Sequence, residues 1–232
     1  MKIHGLQKMT LLDFPGQVAC TVFLGGCDFR CPFCHNWDIL DPSTPVIMGE
    51  IEFYKFLDKR VGLLDGVAIT GGEPLLRTGM PEFIQGIKDK GFKVKLDTNG
   101  NHPDKLKELV GAGLVDYVAV DIKNDKARYG TTIGVPNFDI SKLEETVSFL
   151  LEGNVIYEFR TTVVKQFHDE DSFRGIAEWI EGAENYYLQS FVDRETVHYS
   201  GLEAYGPEQL EIFKSIVAPH VKNIEIRGVD AD

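Results

Sequence analysis

The stretch VACTVFLGGCDFRCPFCHN, residues 18–36, runs from an apolar segment into a loop crowded with cysteine. Residues 18–24 combine β-branched and aromatic side chains, as a buried strand does. Cys20 lies inside that run and reads as a small core hydrophobe. Cys27, Cys31 and Cys34 lie in the loop, and His35 follows the last of them. Three chemistries are open to this pattern. Cys31-Pro32-Phe33-Cys34-His35 has the C-x-x-C-H form that attaches a c-type haem. Three thiols with His35 could make a Cys3His zinc site. The thiols alone, spaced C-x3-C-x2-C, could hold an iron–sulfur cluster.

The rest of the chain weights these differently. MKIHGLQKMTLLDFPG, residues 1–16, is interrupted by Asp13 and Pro15-Gly16, and no A-x-A-like site follows. No export leader is expected, which counts against haem attachment. Adjacent Cys34 and His35 could reach one tetrahedral ion only awkwardly, and separated ligand pairs are absent. In a [4Fe–4S] cluster, three cysteines would leave one iron without a protein ligand, useful only if something else binds there. The 232 residues are 43% hydrophobic, enough for a real core. A net charge of −12 argues against nucleic acid as a partner. Apolar runs of six to eight residues are too short to span a membrane, so a cytoplasmic protein is expected.

Working outward, strands and helices alternate. Strands are predicted over 18–24, 65–70, 92–98, 115–123, 154–164, 185–191 and 222–228. Helices are predicted over 49–60, 81–91, 103–113, 141–153, 169–182 and 206–217. Ile51, Tyr54 and Leu57 are expected on one helical face, as are Phe173, Ile176 and Ile180. Ser141 and Glu144 have capping-box spacing. Residues 124–140 form a long loop of the kind that is often functional. Such alternation implies parallel strands joined by right-handed crossovers. About six βα units fall short of the roughly 250 residues of a closed barrel. The expected fold is therefore α/β, an incomplete (β/α)6 TIM-like barrel, as a single domain over residues 1–232.

In such folds the site forms at the C-terminal ends of the strands. Those ends carry the cysteine loop, then Thr70-Gly71-Gly72-Glu73-Pro74, then Asp97-Thr98-Asn99-Gly100. Asp121 and Lys123 follow, then Arg160, then Gln189 and Ser190, then Arg227. Each admits a plainer reading. Gly71-Gly72 and Asn99-Gly100 could be turns alone. Asp121 and Lys123, two apart on one strand face, could be a structural ion pair. Arg160 could bridge a neighbouring carboxylate. Together the strand ends describe a pocket of both charge signs lined by glycine backbone, suited to a zwitterionic ligand.

The cysteine spacing with Phe33, followed by Thr70-Gly71-Gly72-Glu73-Pro74, resembles the two motifs of radical S-adenosylmethionine enzymes. Gly5-Leu6-Gln7-Lys8, Leu12-Asp13-Phe14-Pro15-Gly16, the cysteine stretch, Leu96-Asp97-Thr98-Asn99-Gly100 and Asp121-Ile122-Lys123 resemble glycyl-radical-enzyme activases. The likeness is to those serving anaerobic ribonucleoside-triphosphate reductase, over nearly the whole chain. It implies one [4Fe–4S] cluster on Cys27, Cys31 and Cys34, with S-adenosylmethionine on the open iron. It implies that Gly71, Gly72 and Glu73 receive the methionine amino group and that the Phe33 backbone meets the adenine. Lys123 would face the methionine carboxylate, and Asp121 the ribose or a cation. A monovalent cation near Asp97, Thr98 and Asp121 is implied too, and Arg160 is a further carboxylate candidate. The implied partners are a glycyl-radical enzyme, and flavodoxin or ferredoxin as electron donor. Asp13 and the Phe14-Pro15-Gly16 turn are placed near the partner-facing mouth, or are a simple turn, with Asp13 a possible catalytic residue. His35 is expected in the loop, not as a ligand. Some activases carry a histidine near the end of the sixth strand; here the stretch is LQSFVD. About fourteen residues separate Cys34 from the first helix, without cysteine, so no second cluster is expected. Competing readings are an activase of the pyruvate formate-lyase type, a small-molecule radical enzyme such as a carboxy-deazaguanine synthase, and a non-enzymatic zinc or iron–sulfur module.

Overall fold

The computed structural model describes residues 1–41 and 43–229. They form two compact units. The first comprises residues 1–28 and 36–119; the second comprises residues 29–35 and those from Val120 onward.

The first unit contains β1 (Lys2–Ile3), β2 (Gly5–Thr10), β3 (Ala19–Leu24), β4 (Met48–Gly49) and α1 (Glu50–Asp58). It continues through β5 (Gly66–Gly71), α2 (Met80–Lys88), β6 (Lys93–Thr98) and α3 (Pro103–Gly111). The chain passes to the second unit within β7 (Tyr117–Asp121). There follow α4 (Tyr129–Thr132), α5 (Ser141–Leu151), β8 (Ile156–Val163), α6 (Glu170–Trp179), β9 (Asn185–Ser190), α7 (Pro207–Val217) and β10 (Asn223–Arg227).

Both units are α/β with mostly parallel strands, as the alternation predicts. In the first, β3, β5 and β6 run parallel, and β2 is added antiparallel to β3. In the second, β8, β9 and β10 run parallel. β3, β5 and β7 are buried through most of their length, as parallel strands generally are. Exposure rises at the C-terminal ends of β5, β6 and β7, where Thr70, Gly71, Asp97 and Asp121 stand.

The register fixes what lies beside the cysteine loop. Leu24, the last residue of β3, pairs with Gly71, the last of β5. The cysteine loop and the Gly71-Gly72-Glu73 turn therefore leave the sheet side by side. At the other end of β3, Thr10 pairs with Ala19, whereas Gly5 pairs with Phe23. The Asp13–Gly16 segment thus closes a hairpin at the end of β3 remote from the cysteines. β3 has six residues, so the separation along the strand is roughly 20 Å. Phe14 is buried there edge-on to Tyr117, with ring centroids 6.0 Å apart, and Asp13 accepts a hydrogen bond from Thr21 Oγ1. Of the two readings of this segment, the simple turn is the one found, at the other end of β3 from the cysteines.

Two helix readings also change. α1 buries Phe53 and Leu57, an i,i+4 pair, while Ile51 is 74% exposed. The Ser141–Glu144 capping box does not form. Asp139 takes the Ser141 N–H at 3.0 Å, and Glu144 pairs instead with Lys126. A capping box does form on α6, between Asp169 and Ser172, where the short hydroxyl replaces the usual glutamate. Phe173, Ile176 and Ile180 are all buried, as their spacing predicts.

Candidate active site

In the first unit the glycine turn is laced to the loop that carries Cys27. Gly72 N–H donates to Leu24 O, and Glu73 N–H donates to Gly26 O, each at 2.8 Å. The contact is too close for any side chain. A methyl group on Gly72 would stand 2.0 Å from the Gly26 carbonyl oxygen. Gly71 has φ +120°, and its methyl would meet Leu24 O at 2.4 Å. Asn36, just after the cysteine loop, donates to Gly71 O at 2.8 Å. So Gly71-Gly72 is more than a turn: its shape is set by the cysteine loop.

Glu73 is fully buried. Its Oε1 accepts from Leu75 N–H and from Thr98 Oγ1, both at 2.9 Å, and its Oε2 accepts from Asn99 N–H at 2.7 Å. Burial pushes the carboxyl up to about 7 against those three hydrogen bonds. Three of roughly four acceptor positions on the carboxylate are thus filled from the protein. Glu73 braces the ends of β5 and β6. Thr98 is committed to it, while Asp97 pairs with Lys95, a buried residue on the same strand face. Asp28, next to Cys27, accepts from Asn99, Asn101 and His102. Burial opposes its ionisation, but these donors bring it down to about 2.

In the second unit Cys31 and Cys34 sit on one turn, with Cys34 N–H donating to Cys31 O at 3.1 Å. Both are thiols. Cys31 is buried, and burial pushes its thiol up to about 12, with the Lys123 ammonium pulling the other way. Cys20 is buried in β3 as expected, and burial likewise raises its thiol to about 12. The Phe33 ring packs 5.5 Å from Phe167, and Lys123 Nζ lies 5.9 Å over it. His35 stacks on Phe191, and its Nε2 lies 2.7 Å from Val192 O. That contact ties the end of the cysteine loop to the end of β9.

Asp121 bridges two cations. Its Oδ2 lies 3.1 Å from Lys123 Nζ, and its Oδ1 lies 3.0 Å from Arg160 Nε. Burial opposes its charge, but Arg160 and Lys123 hold the carboxyl well below the usual range. Burial opposes the Lys123 charge, but the Asp121 carboxylate outweighs it and raises the ammonium in return. The alternation continues through Glu158 to Arg227, which lies over the Tyr187 ring at 3.3 Å. The plain ion-pair reading of these residues is thus realised. The Lys123 ammonium has three protons and can also serve a ligand carboxylate.

Two further residues hold Lys123 and were not marked from the sequence. Tyr129 Oη accepts the Lys123 N–H at 3.2 Å and donates to Asp121 O at 3.1 Å. His168 Nε2 donates to Lys123 O at 2.8 Å, while its Nδ1 accepts Val164 N–H at 3.1 Å. Both side chains are buried, and burial keeps His168 neutral by lowering its pKa. Their polar tips satisfy the Asp121 and Lys123 peptide groups at the end of β7. Tyr129→Phe removes both hydroxyl contacts, so urea unfolding is expected to show a loss of about 1–3 kcal/mol.

A family model described as the Radical SAM superfamily matches residues 21–180. The chain is 30% identical over 235 residues to a Methanocaldococcus jannaschii protein whose name assigns it to the glycyl-radical enzyme activating enzymes. That match covers 98% of this chain and 96% of the relative. It is 29% identical over 182 residues to the pyruvate formate-lyase 1-activating enzyme of Escherichia coli K12, covering 73% and 70%. Among solved structures, Streptococcus suis SuiB bound to S-adenosylmethionine gives a TM-score of 0.69 at 12% identity, over 90% of this chain and 52% of that one. This chain therefore spans about half of SuiB, and the likeness is one of fold. A domain of pyruvate-formate lyase-activating enzyme from Bacteroides vulgatus gives 0.54 at 21% identity, over 70% and 99%. The chain belongs to the radical S-adenosylmethionine superfamily, in its group of glycyl-radical enzyme activating proteins. Its fold is the incomplete parallel barrel of that superfamily. Membership implies a [4Fe–4S] cluster and S-adenosylmethionine. Among the described residues, no helix is long and apolar enough to cross a membrane.

Proposed function

We propose that the protein, its two units acting as one domain, is an activase that places a glycyl radical on a partner enzyme. Anaerobic ribonucleotide reductase is first among the candidate partners on the sequence motifs, and a pyruvate formate-lyase type enzyme, the partner that named relatives serve, stands equally with it. The observation that carries this is the seating of Gly71-Gly72-Glu73 on the loop of Cys27, with 2.0 Å between a Gly72 methyl and Gly26 O. A zinc or iron–sulfur module has no use for a side-chain-free turn pressed against its cysteine loop. A ligand that reaches the metal and lies along backbone does.

The donor set suits the group by its chemistry and spacing. Cys27, Cys31 and Cys34 offer three thiols within eight residues. Burial keeps Cys31 protonated, so metal binding must release a proton. When bound, a reduced [4Fe–4S] cluster and S-adenosylmethionine supply an electron and a 5′-deoxyadenosyl radical that takes hydrogen from a glycine Cα. The chain's own groups bind and orient. Gly71 and Gly72 give backbone approach to the methionine amino group, and Glu73 serves the same group in this reading by holding the turn against the ends of β5 and β6. Lys123, with Arg160 behind the shared Asp121, faces the methionine carboxylate. The backbone of Phe33 meets the adenine. Asp97, Thr98 and Asp121 stand for a monovalent cation in the same reading, and flavodoxin or ferredoxin for the donor.

The test is anaerobic. Reconstituted with iron and sulfide, reduced and given S-adenosylmethionine, the protein is expected to form 5′-deoxyadenosine, and Cys31→Ala to form none. Glycyl-radical spectra with ribonucleotide reductase and pyruvate formate-lyase type partners then separate the two. Bound zinc with no cluster would sink the proposal.

A further inference from the structure

Asp28 has no part in the function proposed above, yet three side chains of one short loop converge on its carboxylate. Asn99 Nδ2 donates to Oδ1 at 2.7 Å, Asn101 Nδ2 to Oδ2 at 2.8 Å, and His102 Nε2 lies 3.1 Å from Oδ2. The loop is braced in turn: Asn101 N–H donates to Asn99 Oδ1 at 2.9 Å, and Asn99 N–H to the buried Glu73 carboxylate at 2.7 Å. Cys27 Sγ stands within this group, 3.9 Å from Asp28 Oδ1 and 3.8 Å from Asn99 Nδ2. So one cysteine of the proposed cluster set is locked, through its neighbour's carboxylate, to the loop after β6.

Two electrostatic effects meet at that sulfur. An N–H pointing at a thiolate favours the reduced cluster, and a nearby negative charge favours the oxidised one. At equal distance a full charge outweighs an amide dipole. An amide at position 28 keeps one acceptor oxygen of the two and carries no charge, so it would weaken the clamp and remove the field together.

We propose that Asp28 is a positioning residue: with Asn99, Asn101 and His102 it clamps Cys27 and lays a fixed negative charge beside the cluster, lowering its reduction potential. The inference rests on the activase reading, since it needs the cluster on Cys27. It bears on electron supply, because a lower potential makes the reduced cluster a stronger donor and the donor protein's task harder.

The experiment compares reconstituted wild type, Asp28→Asn and the double variant Asn101→Ala/His102→Ala. Each is titrated potentiometrically under electron paramagnetic resonance, and iron loss to a ferrous chelator is timed. Asp28→Asn is expected to move the midpoint to a less negative potential and to speed iron loss several-fold. The double variant, which keeps the charge but loses two of its holders, is expected to speed iron loss without raising the midpoint. Asp28→Asn matching wild type in both readouts would overturn the proposal. Equal upward shifts in both variants would overturn the assignment to charge. A wild type that takes up no cluster would overturn the activase reading and this inference with it, whereas a loaded wild type leaves that reading intact whatever Asp28 does.

Discussion

Gly72→Ala should abolish 5′-deoxyadenosine formation and unfold at markedly lower denaturant than the parent chain. The added methyl would lie 2.0 Å from Gly26 O and 2.6 Å from Gly26 C, both backbone atoms. No side chain can swing aside to make room. Either the Glu73 N–H to Gly26 O bond breaks or the loop of Cys27 moves away from the turn. Overpacking of a side chain costs about 1–3 kcal/mol, and a backbone collision at this distance belongs at the upper end, about 3 kcal/mol. Activity should suffer more than stability, because the displaced loop carries a cluster cysteine. A variant that loads a full cluster and turns over normally would show that the turn and loop are not a rigid pair. Gly16→Ala is the control. Its φ of +70° strains an alanine, but nothing lies within 4 Å, and the end of β3 it occupies is remote from the cysteines. It should lose stability without losing product.

What was legible in the sequence, and what was not, follows from the kind of interaction involved. The strand–helix alternation shows through because parallel strands are buried on both faces and read as short apolar runs. The polar residues at the strand ends stand out for the same reason: Asp121 after Val118-Ala119-Val120 breaks an apolar rule. β2 escaped because Gly5–Thr10 is an edge strand whose residues are mostly half-buried or exposed, leaving no hydrophobic pattern. Asp13 and Phe14 stayed undecided between the mouth and a simple turn because the β2 partner that makes the hairpin carries no hydrophobic pattern. Ile51 was assigned to the buried face of α1 by a spacing of three and three, which drifts around the helix; Phe53 and Leu57 keep one face. Glu73 and Gly72 were found as a motif, yet that the carboxylate is turned inward on Thr98 and Asn99 lies in tertiary contacts alone. Tyr129, His168 and the Asp28 group carried no local signal. A tyrosine in a long loop acquires meaning only when its hydroxyl meets the peptide of Lys123.

Asp121→Asn should cost more stability than any other charge removal at the end of β7, and should flatten the acid side of the stability profile. The carboxylate is shared by Lys123 and Arg160, whose side chains are 16% and 13% exposed. Breaking a buried pair by removing one partner costs about 3–5 kcal/mol because a charge is stranded. Asp121 is itself 27% exposed, so the lower end, about 3 kcal/mol, applies even with two cations left behind. The sign of the pH effect follows from the depressed carboxyl. Its contribution is complete above the ordinary aspartate value near 3.9 and is lost as pH falls towards the folded value. Wild type should therefore lose stability below about pH 4 through this group, and Asp121→Asn should lack that component. Lys123→Met makes the contrast. It leaves Asp121 paired with Arg160, so its cost in urea should be smaller, while S-adenosylmethionine affinity of the loaded protein falls at least as far. If Lys123→Met binds S-adenosylmethionine like wild type, the ammonium belongs to the fold alone. If Asp121→Asn/Lys123→Met is no less stable than Asp121→Asn alone, the stranded lysine is the source of the penalty, since two residues sharing one interaction do not add.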